Sequence, residues 1–119
     1  MLRLCTWNIQ SGRRLPAILE SLASLEQLDL IALQEASTHN GAEDAVAVAA
    51  ALGPTYQAFQ VTAHLFPDGV DQGNAVVWDS RRIQATATGA FKLPEPSGRV
   101  LSRIRPQNRN AVVLESLLD

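Results

Sequence analysis

Cysteine is nearly absent from this sequence. Cys5 stands alone among 119 residues, so no disulfide can form within the chain, and the expected setting is intracellular, most simply cytoplasmic. Aromatic residues are only 5% of the total and are nowhere interleaved with basic ones, which leaves no platform for stacking unpaired bases. No apolar run approaches the roughly 20 residues of a membrane-spanning helix, and the N-terminus has no charged-then-apolar leader. Charge of one sign is lacking too. The formal net charge is −2, with basic residues scattered except for Arg13-Arg14, Arg81-Arg82 and the series Arg99, Arg103, Arg105 and Arg109. No basic stripe advertises a nucleic-acid partner, although a nucleic-acid substrate is compatible with this balance. Internal repeats, low-complexity tracts and linkers are missing as well, so residues 1–119 are expected to form one unit.

What is present is a globular composition, 46% hydrophobic and 18% charged. A chain of this length can bury roughly two-thirds of its unfolded surface. The opening reads as a βαβ unit. Leu2, Leu4 and Thr6 alternate with Arg3, Cys5 and Trp7, and this period-two strand stops at the polar loop Asn8-Ile9-Gln10-Ser11-Gly12. Pro16 suits a first helical turn, and Leu15, Ile18, Leu19, Leu22 and Leu25 recur around and beyond it at helical spacing and need a sheet to cover. Leu30-Ile31-Ala32-Leu33 is a short continuous apolar run, the pattern of a parallel strand buried on both faces. Two parallel strands joined through a helix end on the same edge of their sheet, where ligands of open α/β sheets gather. That edge receives Asn8 and Glu35, although 26 residues lie between them.

Downstream, Ala45 to Leu52 reads as a helix stopped by Gly53-Pro54. Strands are then expected at Ala58–Leu65, Ala75–Trp78, Ile83–Leu93 and Asn110–Leu118, separated by the turns at Pro67-Asp68-Gly69 and Asp79-Ser80-Arg81-Arg82 and by the loop Pro94-Glu95-Pro96-Ser97-Gly98. The order is βαβα followed by strands only.

Four stretches now align with a known pattern: Leu2 to Gly12 with its Thr6-Trp7-Asn8-Ile9, Asp29 to Glu35 ending in Leu33-Gln34-Glu35, Gly73-Asn74-Ala75-Val76-Val77, and Arg109-Asn110-Ala111-Val112-Val113. In this order they resemble the N-terminal half of the endonuclease/exonuclease/phosphatase superfamily, the fold of pancreatic-type deoxyribonuclease, abasic-site endonucleases, inositol-polyphosphate phosphatases and bacterial sphingomyelinases. The resemblance implies an α/β fold forming half of a two-layer-pair sandwich, with a mixed sheet and about two helices on one face. It also implies a metal-dependent phosphoesterase, a hydrolase of the nuclease or phosphatase kind.

By that resemblance Glu35 matches the carboxylate that binds a catalytic Mg²⁺ (or Mn²⁺), and Asn8 the amide beside metal and phosphate. Arg109 matches a basic position able to pair with a substrate phosphate, and Gln34 a residue that pins the loop holding Glu35. A hard cation that keeps several waters suits one carboxylate, a neighbouring amide and a phosphate. In this superfamily the water-activating Asp-His pair and an Asp-x-Asn motif come from the C-terminal half, and neither Asp-x-Asn nor Ser-Asp-His occurs here. The expectation is therefore a partial domain carrying the metal side of the site, inactive alone. It would have one sheet face uncovered, through which two copies could pair.

Plainer readings stand beside these. Glu35 can be a solvated acid at a strand end, Asn8 a turn cap, Arg109 a surface arginine and Trp7 a core residue. His64, in Thr62-Ala63-His64-Leu65, is similar to the superfamily's Thr-His-Leu strand but precedes Gly73, out of order, and His39 reads as a surface-loop histidine. Asp68, Asp71 and Asp79 are assigned to turns, satisfying local amides. A non-catalytic half-domain that binds a partner is the alternative function, and an unrelated βαβ domain the third.

Overall fold

The computed structural model describes residues 1–93 and 110–118. Along the chain run β1 (Leu4–Asn8), a 3₁₀ turn (Gln10–Gly12), α1 (Leu15–Ser24), β2 (Leu30–Ala36), β3 (Thr38–His39), β4 (Ala42–Glu43), α2 (Asp44–Leu52), β5 (Tyr56–Leu65), β6 (Asp71–Asp79), β7 (Ile83–Lys92) and β8 (Asn110–Leu118).

The expected βαβ opening is present. Pro16 lies in the first turn of α1, where a missing N–H costs nothing, and Ile18 and Leu22, four residues apart, are the buried face of that helix. Helix α2 ends where Gly53, at φ 141°, sends its N–H back to Ala49 O at 3.1 Å. The main sheet has the order β1-β2-β6-β5. β1 and β2 are parallel, from Leu4↔Leu30 to Asn8↔Gln34, and the remaining pairs are antiparallel, so the sheet is mixed.

Alternation along the strands separates two cores. On one face Ile31, Leu33, Ala75 and Val77 pack against Ile18 and Leu22 of α1 and Ala45, Val48 and Ala49 of α2, so both helices cover the same side. At about 25 cal/mol per Å² each fully buried leucine or isoleucine here contributes about 2 kcal/mol, which makes this cluster the main source of stability. On the other face Val76 and Trp78 pack with Ile83, Leu30, Phe59, Val112 and Leu114, because the β7–β8 ribbon lies against β5 and β6. The face expected to be uncovered is therefore covered at its β5–β6 end. Among the described residues nothing covers its β1 end, where Leu4 is exposed.

Several boundaries differ from expectation. β1 begins at Leu4 and not Leu2, and β2 runs on past Leu33 to Ala36, which puts Glu35 inside a strand. Asp71 and Asp79 are the first and last residues of β6 and both are buried. Asp79 still behaves as a turn residue, accepting from Arg81 N at 3.0 Å, and Asp68 likewise accepts from Val70 N at 3.0 Å. Asp71 does not, since its partners Thr38 and Thr62 come from other strands. Trp7 packs against the helix-side core, as its apolar bulk favours.

Candidate functional site

The parallel ladder places Asn8 opposite Gln34, and Ile9 N–H extends it by one bond to Gln34 O at 2.9 Å. Glu35 follows at once. The sheet register brings the two sequence candidates to neighbouring strand ends, whereas Arg109 lies outside the described residues.

Both candidates adjoin strained backbone. After Asn8, buried Ile9 anchors the chain, and Gln10, Ser11 and Gly12 then take φ of 50°, 59° and 71° in succession. Left-handed backbone costs a non-glycine residue about 1–2 kcal/mol, so such a turn persists only where its surroundings impose it. Part of that support is local. Asn8 Oδ1 accepts from Gln10 N at 3.1 Å, while Gly12 N–H reaches Ile9 O at 2.9 Å. The Asn8 amide oxygen thus has one lone pair engaged, and its NH₂ group is not part of that bond.

Glu35 has φ 55° and is the extra residue of a bulge, because the β2–β6 ladder steps from Gln34↔Asn74 to Ala36↔Gly73. Bulges re-aim side chains, and this one turns a carboxylate out of the alternation that buries Leu33 and Ala36. Gln34 does not pin that loop. Its Nε2 donates to Thr6 Oγ1 at 2.9 Å, tying β2 to β1 instead.

The chain after Glu35 is held by a buried polar network. Ser37 N–H donates to Asp44 Oδ2 at 2.9 Å, Asp44 N–H returns to Ser37 O at 2.9 Å, and Gln60 Nε2 donates to that same oxygen at 3.0 Å. Gln60 Oε1 accepts from Ala45 N at 3.0 Å, and Ser37 Oγ donates to Asp71 O. Asp71 takes Thr38 N at 2.8 Å and Thr62 Oγ1 at 2.8 Å. Burial alone would raise the Asp71 pKa, but the donors Thr38 and Thr62 outweigh it and hold it below the usual carboxylate range. Burial does raise the pKa of Asp44, against the opposing pull of Ser37 N–H and His39.

Beyond Gln34 the same sheet face continues through amides. Asn74 lies opposite Gln34 and donates Nδ2 to Asn110 O at 2.8 Å and Oδ1 at 2.9 Å, while Asn110 Nδ2 donates to Val61 O at 3.0 Å. Asn8, Gln34, Asn74 and Asn110 therefore cross the sheet as a row of neutral polar groups. Sequence reasoning missed Asp44 and Gln60, assigned Asp71 to a turn, and of this row singled out Asn8 and Gln34 but gave Asn74 and Asn110 no role of their own. For Asn74 and Asn110 the signal was present, each standing just ahead of an apolar strand run; for the buried acids nothing local distinguishes them from solvated ones.

Among the described residues no three His, Cys, Asp or Glu side chains converge on a cation position. A metal here would be held by one carboxylate, an amide oxygen, water and a ligand phosphate, a donor set that fits Mg²⁺ or Mn²⁺ and not a closed zinc cage. His64 packs edge-on against Phe66 with ring centres 4.5 Å apart, and His39 sits on the exposed β3–β4 hairpin.

No family model matches the chain, and no curated protein matches it. Among solved structures it is similar to an endonuclease/exonuclease/phosphatase family protein from Leptotrichia buccalis C-1013-b, with a TM-score of 0.68 and 18% identity over 96% of this chain and 49% of that one. The chain shares the α/β fold of the matched part of that protein, with a mixed sheet and two helices. The chain spans about half the length of that protein. At this identity the likeness carries architecture, and the chemistry of Asn8 and Glu35 rests on their geometry. No helix among the described residues is long and apolar enough to cross a membrane.

Proposed function

We propose that this chain is part of a metal-dependent phosphoesterase and carries the metal side of its site. The observation that carries the reading is the meeting of Asn8 and Glu35 at adjacent parallel strand ends, each beside left-handed backbone, in a chain with this fold. Strain of this kind accumulates where a side chain must be aimed at a ligand.

In this reading Glu35 holds Mg²⁺ or Mn²⁺, and Asn8 offers its second oxygen lone pair to the ion or its NH₂ group to a phosphate oxygen. The ion, when bound, supplies Lewis-acid polarisation of a phosphoryl oxygen and lowers the pKa of a coordinated water. The chain's own residues fix where that phosphate sits. Arg109 directly precedes Asn110, whose side chain and carbonyl are tied to Asn74 and Val61, and its guanidinium pairs with a substrate phosphate. The substrate is a phosphoester, with a nucleic-acid backbone among the candidates, and the setting is cytoplasmic. The base that activates water is not drawn from an Asp-His or Asp-x-Asn sequence in these 119 residues, so the chain alone is inactive.

Titration of Mn²⁺ into wild type and Glu35→Gln tests the reading. Affinity lost in the variant supports it, and equal affinity removes Glu35 as a ligand.

A second reading has its own observation. Leu4, Phe91 and Val113 are exposed, on β1 and on the β7–β8 ribbon. Open apolar surface suits a non-catalytic binding or dimerisation module, with two copies covering it. Light scattering across a concentration series decides: a monomer throughout rejects the homodimer.

A further inference from the structure

Asp44 is the first residue of α2 and is fully buried, an expensive place for a carboxylate. An acid in a first helical turn gains from the helix dipole while remaining in water, so the dipole alone does not explain burial. Of its two oxygens Oδ2 is hydrogen-bonded, whereas Oδ1 accepts no hydrogen bond and has the half-exposed His39 Nε2 3.2 Å away as an ion-pair partner. A buried carboxylate oxygen without a hydrogen bond is unfavourable, and one half-exposed imidazole beside it does not account for the burial. Something else holds the group inside.

Two loops close on it. From one side Ser37 N–H, two residues past Glu35, donates to Oδ2 at 2.9 Å. From the other, the left-handed turn after Asn8 rests its Gly12 on the carboxylate so closely that a Cβ there would lie 2.7 Å from both oxygens and 3.0 Å from Cγ. Gly12 has φ 71°, so both conformation and space require glycine. The carboxylate is thus the common floor of the two segments that carry the candidate ligands.

We propose that Asp44 is a positioning residue that clamps the turn after Asn8 to the strand end after Glu35, fixing the spacing of those two side chains. The clamp itself stands on geometry; its consequence for a metal rests on the proposed site.

Amide hydrogen exchange in metal-free protein tests the clamp. Asp44→Ala is expected to speed exchange in both segments, residues 9–13 and 37–38, while the β5–β6 amides stay protected. Gly12→Ala, which retains the Asp44 side chain but sets a methyl against it from the opposite side, is expected to do the same, and Asp44→Asn, which keeps the shape, to recover part of the protection. If each variant loosens only its own segment, the clamp is overturned. Mn²⁺ affinity tests its consequence: Asp44→Ala should weaken binding about tenfold, as loss of a group supporting a ligand does. Asp79→Asn, at the far end of β6, should lower stability without changing affinity. Affinity retained in Asp44→Ala but lost in Glu35→Gln overturns the positioning role. If Glu35→Gln also binds normally, the metal site fails, and the exchange result alone decides the clamp.

Discussion

Glu35 and Gly73 mark the point where the central ladder loses its register. Glu35 is extra on β2, between Gln34↔Asn74 and Ala36↔Gly73, and on the other side of β6 the β5 ladder slips between Thr62↔Gly73 and His64↔Gln72. Gly73 is thus flanked by an irregularity on each neighbouring strand. The sheet is regular through its apolar middle and broken at the edge where Asn8 and Glu35 emerge.

The double break needs a residue without a side chain. A Cβ on Gly73 would lie 2.0 Å from Val61 O and 2.8 Å from Val61 C, inside the backbone of β5. Gly73→Ala is expected to force β5 away from β6 and cost about 3 kcal/mol by urea denaturation. Gly89→Ala, where nothing lies within 4 Å, is expected to change stability by less than about 1 kcal/mol. Comparable losses for both would mean that the close approach at Gly73 is not what matters.

Glu35 at φ 55° sits in backbone that favours glycine. Glu35→Gly should therefore raise stability by about 1 kcal/mol while weakening Mn²⁺ binding, the opposite signs expected when a ligand is kept at the expense of the backbone. A variant that is both less stable and unchanged in metal affinity would show that Glu35 serves the fold.

The sequence made the βαβ frame legible because its signals are local. Pro16 followed by the Ile18 and Leu22 spacing specifies a covered helix, and Leu30 to Leu33 a strand parallel to β1, although β2 is antiparallel to β6 and only Ile31 and Leu33 of that run are fully buried. Their register then follows from topology. The left-handed turn at Gln10 and Ser11 was not legible, because neither residue favours that backbone and the support beneath it, Asp44, comes from far along the chain. Asp71 was misplaced for a similar reason: its neighbours suggest a turn, but its partners Thr38 and Thr62 are on other strands. Coverage of the second face by Val112 and Leu114 depends on how the β7–β8 ribbon folds back, which no periodicity reveals.

Acid stability follows from carboxylates with opposite shifts. Asp79, hydrogen-bonded by the Arg81 guanidinium, is lowered to about 2, so the folded state favours its ionised form. That stabilisation is complete above the unfolded value of 3.8 and is lost as pH falls through about 2; with Arg81 exposed to solvent it amounts to about 1–2 kcal/mol. Asp71 acts in the same direction. Asp44, raised by burial, has the opposite sign: its protonated form is favoured in the fold, and stability declines as pH rises from 3.8 through its folded value. Denaturation across pH 2–7 should show Asp79→Asn losing the acid-side slope, whereas the stability of Asp44→Asn relative to wild type should improve as pH rises. A pH-independent difference for Asp44→Asn would show that its carboxyl titrates alike in both states.

The two cores should differ in how widely a cavity is felt. Among the described residues the helix-side cluster joins twelve buried residues from α1, β2, α2, β6 and the connecting positions Ile9 and Leu28, whereas Val76, Trp78 and Ile83 make up the buried part of the other. Leu22 is fully buried in the larger cluster, and Leu22→Ala is expected to cost about 3 kcal/mol and to lower protection throughout the sheet. Ile83 begins β7 and links the ribbon to Trp78. Ile83→Ala is expected to cost somewhat less, about 2–3 kcal/mol, and to release β7–β8 while β1, β2 and the helices keep their protection. Hydrogen exchange measured strand by strand separates the cases. If Ile83→Ala lowers protection at α1 and α2 as much as at β7, then the two faces form one cooperative unit, and the ribbon is an integral part of the layer that positions Asn8 and Glu35.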